Sequence, residues 1–150
     1  ALFSIIQFDL PGAKVLDLFG GTGQLGIEAL SRGASRAVFV DADRNACAVI
    51  RENLKRTNFA DKAVVNNLDS FSYLRSCKET FDIILLDPPY AKDFLENALK
   101  SITEIDILQS GGIIVSERSL EKELTMAFPG YIRSKDYKYG NTLLALYRKE

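Results

Sequence analysis

The sequence predicts an α/β fold, in which helices cover both faces of a mostly parallel sheet of seven strands. Three observations support this prediction. Short runs rich in β-branched residues alternate with helical patterns along most of the chain. The run FDIILLD is almost entirely apolar, which is typical of a parallel strand covered on both faces. The last two strand-like runs are separated only by Gly140-Asn141, which indicates a hairpin that adds an antiparallel strand.

Each element follows from its own residue pattern. AKVLDLF forms the first strand and leads into a glycine-rich loop and a helix. The next helix has apolar residues at i, i+3 and i+4 spacing, at Ala46, Val49, Ile50 and Leu54. The predicted strands lie at 13–19, 36–42, 62–67, 81–87, 112–117, 132–139 and 142–148. The predicted helices lie at 23–32, 44–58, 70–76, 93–105 and 119–127.

Length and composition predict one domain that spans residues 1–150. The net charge of −1 provides no overall attraction to nucleic acid, so binding to a polyanion would require a local basic patch. The chain has no histidine, which excludes Ser-His-Asp triads and His-ligated metals, and we expect no metal site. Cys47 and Cys77 match no disulfide or zinc pattern, which favours a cytoplasmic protein. No apolar run is long enough to span a membrane.

A glycine-rich loop follows the first strand, at the position where open α/β sheets bind ligands. Gly21, Gly23 and Gly26 fit the pattern GxGxxG, which allows a tight turn and a close approach of backbone to a ligand. Asp41 ends the next strand, twenty positions after Gly21, where a carboxylate can accept hydrogen bonds from ribose hydroxyls. The loop therefore predicts a nucleotide-like ligand, although glycines near a helix start can also serve only turns and packing.

Asp17 discriminates between the two ligands that such a loop could hold. A dinucleotide would place a pyrophosphate dianion at the helix N-terminus, beside this carboxylate, and the like charges would repel. S-adenosylmethionine would instead place an ammonium group and a sulfonium there. The sign of the charge favours S-adenosylmethionine over NAD.

A second group of functional residues, Asp87-Pro88-Pro89-Tyr90, follows the apolar central strand. The prolines remove two backbone donors and leave carbonyl groups free to accept hydrogen bonds. Asp87 and the Pro88 carbonyl can hold the two N–H groups of an exocyclic base amine and orient its lone pair, while Tyr90 offers a face for base stacking. A bare Asp-Pro-Pro can also simply end a strand.

These motifs resemble class I methyltransferases with a Rossmann-like fold, and Asp-Pro-Pro-Tyr matches their amino-methyltransferase signature. In order along the chain, DLFGGTGQLGIEALSRGA, VFVDADRNA, IILLDPPY and YGNTLLALY resemble the bacterial RsmD family of small-subunit ribosomal RNA guanine-N2 methyltransferases. The resemblance implies S-adenosyl-L-methionine as cofactor and target-base contacts at Asp87, Pro88, Pro89 and Tyr90. It implies cofactor contacts at Asp17, Phe19, Gly20, Gly21, Thr22, Gly23, Asp41, Asp69 and Ser70.

The resemblance also implies ribosomal RNA or the small ribosomal subunit as partner, and we expect a monomer. Family members carry a basic segment ahead of the position of Ala1, so we interpret the sequence as starting downstream of the natural N-terminus. DNA adenine-N6 or protein glutamine methylation remains an alternative, because the Asp-Pro-Pro-Tyr motif does not select the acceptor, and an NAD-dependent dehydrogenase is a more distant one. A non-enzymatic nucleic-acid-binding module would use basic clusters at Arg51, Lys55, Arg56, Arg133, Lys135 and Lys138.

Overall fold

A computed structural model describes residues 2–87, 92–119, 129–139 and 142–150. The helices are α1 (Leu2–Ile5), α2 (Gln24–Ser31), α3 (Arg44–Arg56), α4 (Ser70–Ser76) and α5 (Lys92–Ile105), with a short 3-10 turn at Ala60–Lys62. The strands are β1 (Lys14–Asp17), β2 (Arg36–Asp41), β3 (Ala63–Asn67), β4 (Phe81–Leu86), β5 (Leu108–Ser119), β6 (Tyr131–Tyr139) and β7 (Thr142–Lys149).

All seven described strands belong to one sheet, with the order β3-β2-β1-β4-β5-β7-β6. The strands from β3 to β5 pair in parallel, while β7 pairs antiparallel with both β5 and β6. The predicted mostly parallel sheet with a C-terminal antiparallel hairpin strand is therefore confirmed. Gly140-Asn141, on which the hairpin prediction depended, lies outside the described residues.

Helices cover both faces of the sheet, as predicted, and each face has its own apolar core. Successive strand residues point to opposite faces, so Leu16 packs on one side with α4 and α5, while Val15 packs on the other with α2 and α3. The central strand β4 contributes to both cores through Ile84 and Ile83, which are almost fully buried. Burial on both faces explains the nearly unbroken apolar sequence of this strand.

At one position of α3 the sequence-based prediction of the buried face is wrong. Val49 was expected on the buried face of α3, but its side chain is 45% exposed and Cys47 is buried instead. The cysteine behaves here as a small apolar residue, which the apolar spacing did not anticipate. Of the helix predicted at 119–127, Ser119 is instead the last residue of β5, while residues 120–127 lie outside the described residues.

The strand order places β1 next to β4, which is where the sequential direction of the sheet reverses. At such a point the connections leave for opposite faces, so a crevice opens beyond the carboxyl ends of the two strands. Among the described residues, no helix has both the length and the apolar character that a membrane span requires.

Candidate active site

Three carboxylates meet at the carboxyl ends of the central strands. Asp17 is the last residue of β1, Asp41 is the last residue of β2, and Asp87 directly follows β4. The three carboxyl groups are close enough to interact, since the charges of Asp87 and Asp41 both raise the pKa of Asp17. The structure therefore brings together the acidic residues that the sequence predicted for the glycine loop and for the second group of functional residues, which begins at Asp87.

Asp17 is the most unusual of the three, since its side chain is buried with only 1% exposure. Its Oδ2 accepts a hydrogen bond from the Gly26 N–H at 3.1 Å, whereas its Oδ1 is enclosed without a hydrogen-bond partner among the described residues. Burial is the main cause that raises the pKa of Asp17 to about 7. A buried carboxylate with an unpaired oxygen is costly unless a cation or donor reaches it.

The glycine loop, defined here as residues 19–23, turns sharply between β1 and α2. Gly21 and Gly23 have positive φ angles of 57° and 80°, which residues with a side chain rarely adopt. Three backbone N–H groups fix the turn, since Gly20 donates to the Val40 carbonyl at 3.0 Å, Gly23 to the Gly20 carbonyl at 2.7 Å and Gly21 to Asp41 at 2.9 Å. The glycines of the motif thus have the conformational role that the sequence predicted.

Gly26, the third glycine of the motif, is required for packing. A Cβ atom at this position would lie 2.3 Å from Cε1 of the Phe39 ring, so no larger residue fits without displacing a buried aromatic side chain. Because the Gly26 N–H also holds Asp17, this close contact between α2 and β2 sets the position of the buried carboxylate.

Asp41 shapes the loop as well as facing the crevice. Its Oδ2 accepts from the Gly21 N–H at 2.9 Å and its Oδ1 from the Asp43 N–H at 2.8 Å. A carboxylate has about four acceptor positions, so two remain for hydroxyl groups of a ligand. Asn67 supports this corner by donating to the Asp41 and Ala42 carbonyls at 3.1 and 3.0 Å.

Asp69 and Ser70 lie at the start of α4, on the other side of the crevice. Asp69 is exposed and caps the helix by accepting from the Ser72 N–H at 3.1 Å. Ser70 is buried and its hydroxyl donates to the Leu18 carbonyl at 3.2 Å, which ties the helix start to the end of β1. Phe19, at the beginning of the loop, is partly buried and packs against the core on the α4 side.

Asp87 begins the second predicted motif and is exposed to solvent at the end of β4. Partial burial of the carboxyl group nevertheless raises its pKa. Pro88, Pro89 and Tyr90, which the sequence assigns to the target base, lie outside the described residues.

Sequence reasoning missed two residues of α3 that contact the glycine loop. The Asn53 side chain donates to the Thr22 carbonyl at 2.9 Å, and Ile50 packs beneath the glycines. A Cβ atom at Gly20 would lie 2.8 Å from Ile50 Cδ1. The apolar spacing of α3 predicted Ile50 as a core residue, but nothing in the local sequence connects Asn53 with a loop 31 positions earlier.

The site suits a cationic ligand better than an anionic one. The unpartnered Oδ1 of Asp17 can accept from an ammonium group, while three neighbouring carboxylates would repel the phosphates of a dinucleotide. The described part of the chain contains no group of three or more acidic or cysteine side chains arranged to hold a metal ion.

A Rossmann-like sheet with an antiparallel C-terminal strand, an acidic residue at the end of β1 and a glycine loop define the class I methyltransferases. Comparison with known proteins agrees with this class. The chain belongs to the family described as Conserved hypothetical protein 95, whose model matches residues 1–148. The membership of the RsmD family that the sequence motifs predicted is thereby confirmed.

Two relatives illustrate the similarity. YlbH of Bacillus subtilis, named as a candidate rRNA methyltransferase, is 38% identical over 99% of this chain and 83% of its own length. Ribosomal RNA small subunit methyltransferase D of Escherichia coli is 28% identical over 99% of this chain and 75% of its own length.

Solved structures also resemble the chain. A conserved hypothetical protein from Streptococcus pyogenes superposes with a TM-score of 0.92 at 30% identity, covering 99% of this chain and 93% of that one. An RNA methyltransferase from Salinibacter ruber in complex with S-adenosyl-L-homocysteine has a TM-score of 0.75, covering 97% of this chain and 88% of that one. Its 15% identity limits that likeness to the fold.

Proposed function

We propose that this chain transfers a methyl group from S-adenosylmethionine to an exocyclic amino nitrogen of a base in ribosomal RNA. The observation that carries the proposal is the buried Asp17 at the switch point of the sheet, with one carboxylate oxygen that has no partner among the described residues. S-adenosylmethionine carries an ammonium group that can pair with this oxygen, and when bound it supplies a methyl group on a positively charged sulfur.

The neighbouring residues fit the other parts of the same cofactor. Gly20, Gly21 and Gly23 let the backbone approach the ligand closely, and Thr22 is an exposed residue of the same loop. Asp41 has acceptor positions left for ribose hydroxyls.

At the α4 edge, Asp69 and the Ser70 amide would contact the adenine, with Phe19 nearby. Ser70 is fixed to the end of β1 through Leu18, so this edge is held at a constant distance from the glycine loop. These cofactor contacts are proposed from the family motifs together with the arrangement of the described residues.

Asp87 is proposed to orient the acceptor amine. An exocyclic base amine is a weak nucleophile because its lone pair is delocalised into the ring. A carboxylate that accepts one of its N–H groups favours the form in which the lone pair points toward the methyl group, and it stabilises the positive charge that develops on nitrogen. We assign the second acceptor to the Pro88 carbonyl and base stacking to Pro89 and Tyr90, on the basis of the motif.

The raised pKa of Asp87 fits this role. A partly desolvated carboxylate forms stronger hydrogen bonds to an amine than a fully hydrated one, because fewer water molecules compete for its oxygens. The reaction does not require Asp87 to remove a proton before methyl transfer; its contribution is orientation and electrostatic stabilisation.

For the target, we propose guanine N2 in RNA of the small ribosomal subunit. The proposal draws on the family and on the name of the Escherichia coli relative. We further propose that the chain acts as a monomer, and the substrate implies action in the cytoplasm. DNA adenine-N6 or protein glutamine methylation would use the same amine chemistry at Asp87, so substrate assays decide between them.

The test compares Asp87→Ala with the wild type in single-turnover methyl transfer and in cofactor titration. Loss of an acceptor that acts mainly in the transition state should slow methyl transfer by about 10²–10³ with little change in cofactor affinity. Asp61→Ala, which removes an exposed carboxylate near the opposite end of the sheet, serves as the control and should match the wild type. If Asp87→Ala kept normal turnover, or lost only cofactor binding, the orienting role would be wrong.

A further inference from the structure

Helix α3 supports the glycine loop through contacts that the family motifs do not include. The Asn53 amide nitrogen donates a hydrogen bond to the Thr22 carbonyl at 2.9 Å, across 31 positions of sequence. Ile50, one turn earlier on the same helix, lies against Gly20 and Gly23, where added Cβ atoms would come within 2.8 and 3.2 Å of its side chain. One face of α3 therefore contacts the loop through a polar and an apolar side chain.

The Thr22 carbonyl lies at an exposed part of the loop, between two glycines. Gly21 and Gly23 on either side have positive φ, and glycine is the residue with the largest conformational freedom to lose. The flanking backbone is held by donation from Gly21 to Asp41 and from Gly23 to Gly20. Thr22 itself is exposed, and the Asn53 amide holds its peptide group from outside the loop.

We propose that Asn53 is a positioning residue for the cofactor site, which holds the glycine loop in its binding conformation without touching the cofactor. The inference rests on the proposed function, because it requires that the loop bind S-adenosylmethionine. If the hydrogen bond is removed, the loop samples other conformations before binding, and the cofactor must select the competent one. The apparent Kd then equals the intrinsic Kd divided by the fraction of time that the loop spends in the competent conformation.

Two substitutions test this role, and neither should unfold the chain. Asn53→Ala removes the donor and places a residue of higher helix propensity on a partly exposed helix surface. Asn53→Asp keeps the size of the side chain but places a carboxylate beside the Thr22 carbonyl, so that attraction becomes repulsion. Glu52→Ala, at the adjacent exposed position of the same helix, is the control.

Isothermal titration with S-adenosylmethionine and steady-state kinetics at saturating RNA provide the readouts. One lost hydrogen bond at a partly exposed site corresponds to an increase of about three- to tenfold in the cofactor Kd and KM, with kcat within about twofold of the wild type. Asn53→Asp should exceed Asn53→Ala in this effect, and Glu52→Ala should match the wild type. A merely structural residue would instead lower the melting temperature and leave the ratio of KM to kcat unchanged.

The outcomes separate this inference from the proposed function. If the wild type binds no S-adenosylmethionine, the proposed function fails. If the wild type binds it and both Asn53 variants bind equally well, the positioning role is wrong while the proposed function stands. A loss of kcat at unchanged Kd in the Asn53 variants would also overturn the positioning role.

Discussion

Cofactor affinity should rise with pH, because the ammonium group of the ligand requires the ionised form of Asp17. Burial, with added repulsion from Asp87 and Asp41, raises the pKa of this carboxyl to about 7. The rise from 3.8 to about 7 corresponds to about 4 kcal/mol against the ionised form in the folded chain. An ammonium group beside Oδ1 reverses this preference, so binding is coupled to loss of a proton from Asp17.

The magnitude follows from the ionised fraction of Asp17 in the ligand-free chain. A carboxyl with a pKa of about 7 is ionised to about 9% at pH 6 and to about 76% at pH 7.5. The ionised fraction of Asp17 therefore rises about eightfold over this interval. Because the α-amino group of the ligand, with a pKa of about 7.7–8.0, is protonated to only about 60–76% at pH 7.5, affinity should increase about five- to sixfold. Binding at pH 7 should release about half a proton from Asp17 and take up about 0.1–0.2 of a proton on the α-amino group, a net release of about 0.3–0.4.

Calorimetric titration in buffers of different ionisation enthalpy measures both the affinity and the released proton. Asp17→Asn keeps an acceptor for the Gly26 N–H but cannot ionise, so its affinity should be lower at pH 7.5 and should not rise from pH 6 to 7.5. Asp82→Asn is the control, since Asp82 accepts from the Lys14 N–H at the opposite end of the sheet, and it should keep the pH profile of the wild type. A wild-type affinity that does not change with pH, or a slope that persists in Asp17→Asn, would refute the reasoning.

Three further outcomes follow from the same contacts. Without ligand, the free energy of unfolding should fall as pH rises from about 4 to about 7, because the folded chain retains a proton on Asp17 that the unfolded chain has released. Urea titrations of Asp17→Asn should not show this decrease. Asp41→Ala should weaken cofactor binding by about 1–3 kcal/mol and Asp41→Asn by less, because Asn can still accept from Gly21; equal binding by all three chains would limit Asp41 to a structural role. Gly26→Ala should destabilise the chain by about 1–3 kcal/mol through overpacking against Phe39. The double variant Gly26→Ala, Phe39→Leu should recover part of that loss. An unchanged melting temperature of Gly26→Ala would contradict the contact.

The sequence predicted the topology because strand-like runs, the central ones strongly apolar, alternate with helical patterns along most of the chain. Phe81–Leu86 is buried on two faces, and its sequence is correspondingly continuous in apolar residues. The C-terminal strands were predicted from two strand-like runs with only turn residues between them, and Tyr131–Tyr139 and Thr142–Lys149 confirm the pair.

Errors arose where tertiary packing decides the outcome. On α3, Cys47 is buried and Val49 is exposed, and Ile50 packs beneath the glycine loop. Which side chains of this helix are buried depends on contacts with a distant segment, which local spacing does not encode. Lys62 belongs to the 3-10 turn before β3, and the strand begins one residue later than predicted.

The same distinction applies to the candidate site, where motif spacing identified some residues and tertiary packing determined the rest. Asp17 and Asp41 could be identified from motif spacing, because parallel strands bring their carboxyl ends to one edge. The sequence did not reveal that Asp17 is nearly fully buried or that its pKa lies near neutrality, since both depend on the packing of α2 against β2. Asn53 could not be identified at all, because its hydrogen bond to Thr22 exists only once α3 has packed beside the loop.

The most direct test of the central proposal identifies the methylated product. The purified chain, with S-adenosylmethionine labelled at the methyl group, is incubated separately with undermethylated small ribosomal subunits, naked ribosomal RNA and DNA, and the nucleosides are then analysed by mass spectrometry. We predict label in N2-methylguanosine from the ribosomal RNA substrates, at a rate that Asp87→Ala reduces by about 10²–10³. Label in N6-methyladenine from DNA, or no transfer to any nucleic acid by a chain that binds the cofactor, would contradict the account.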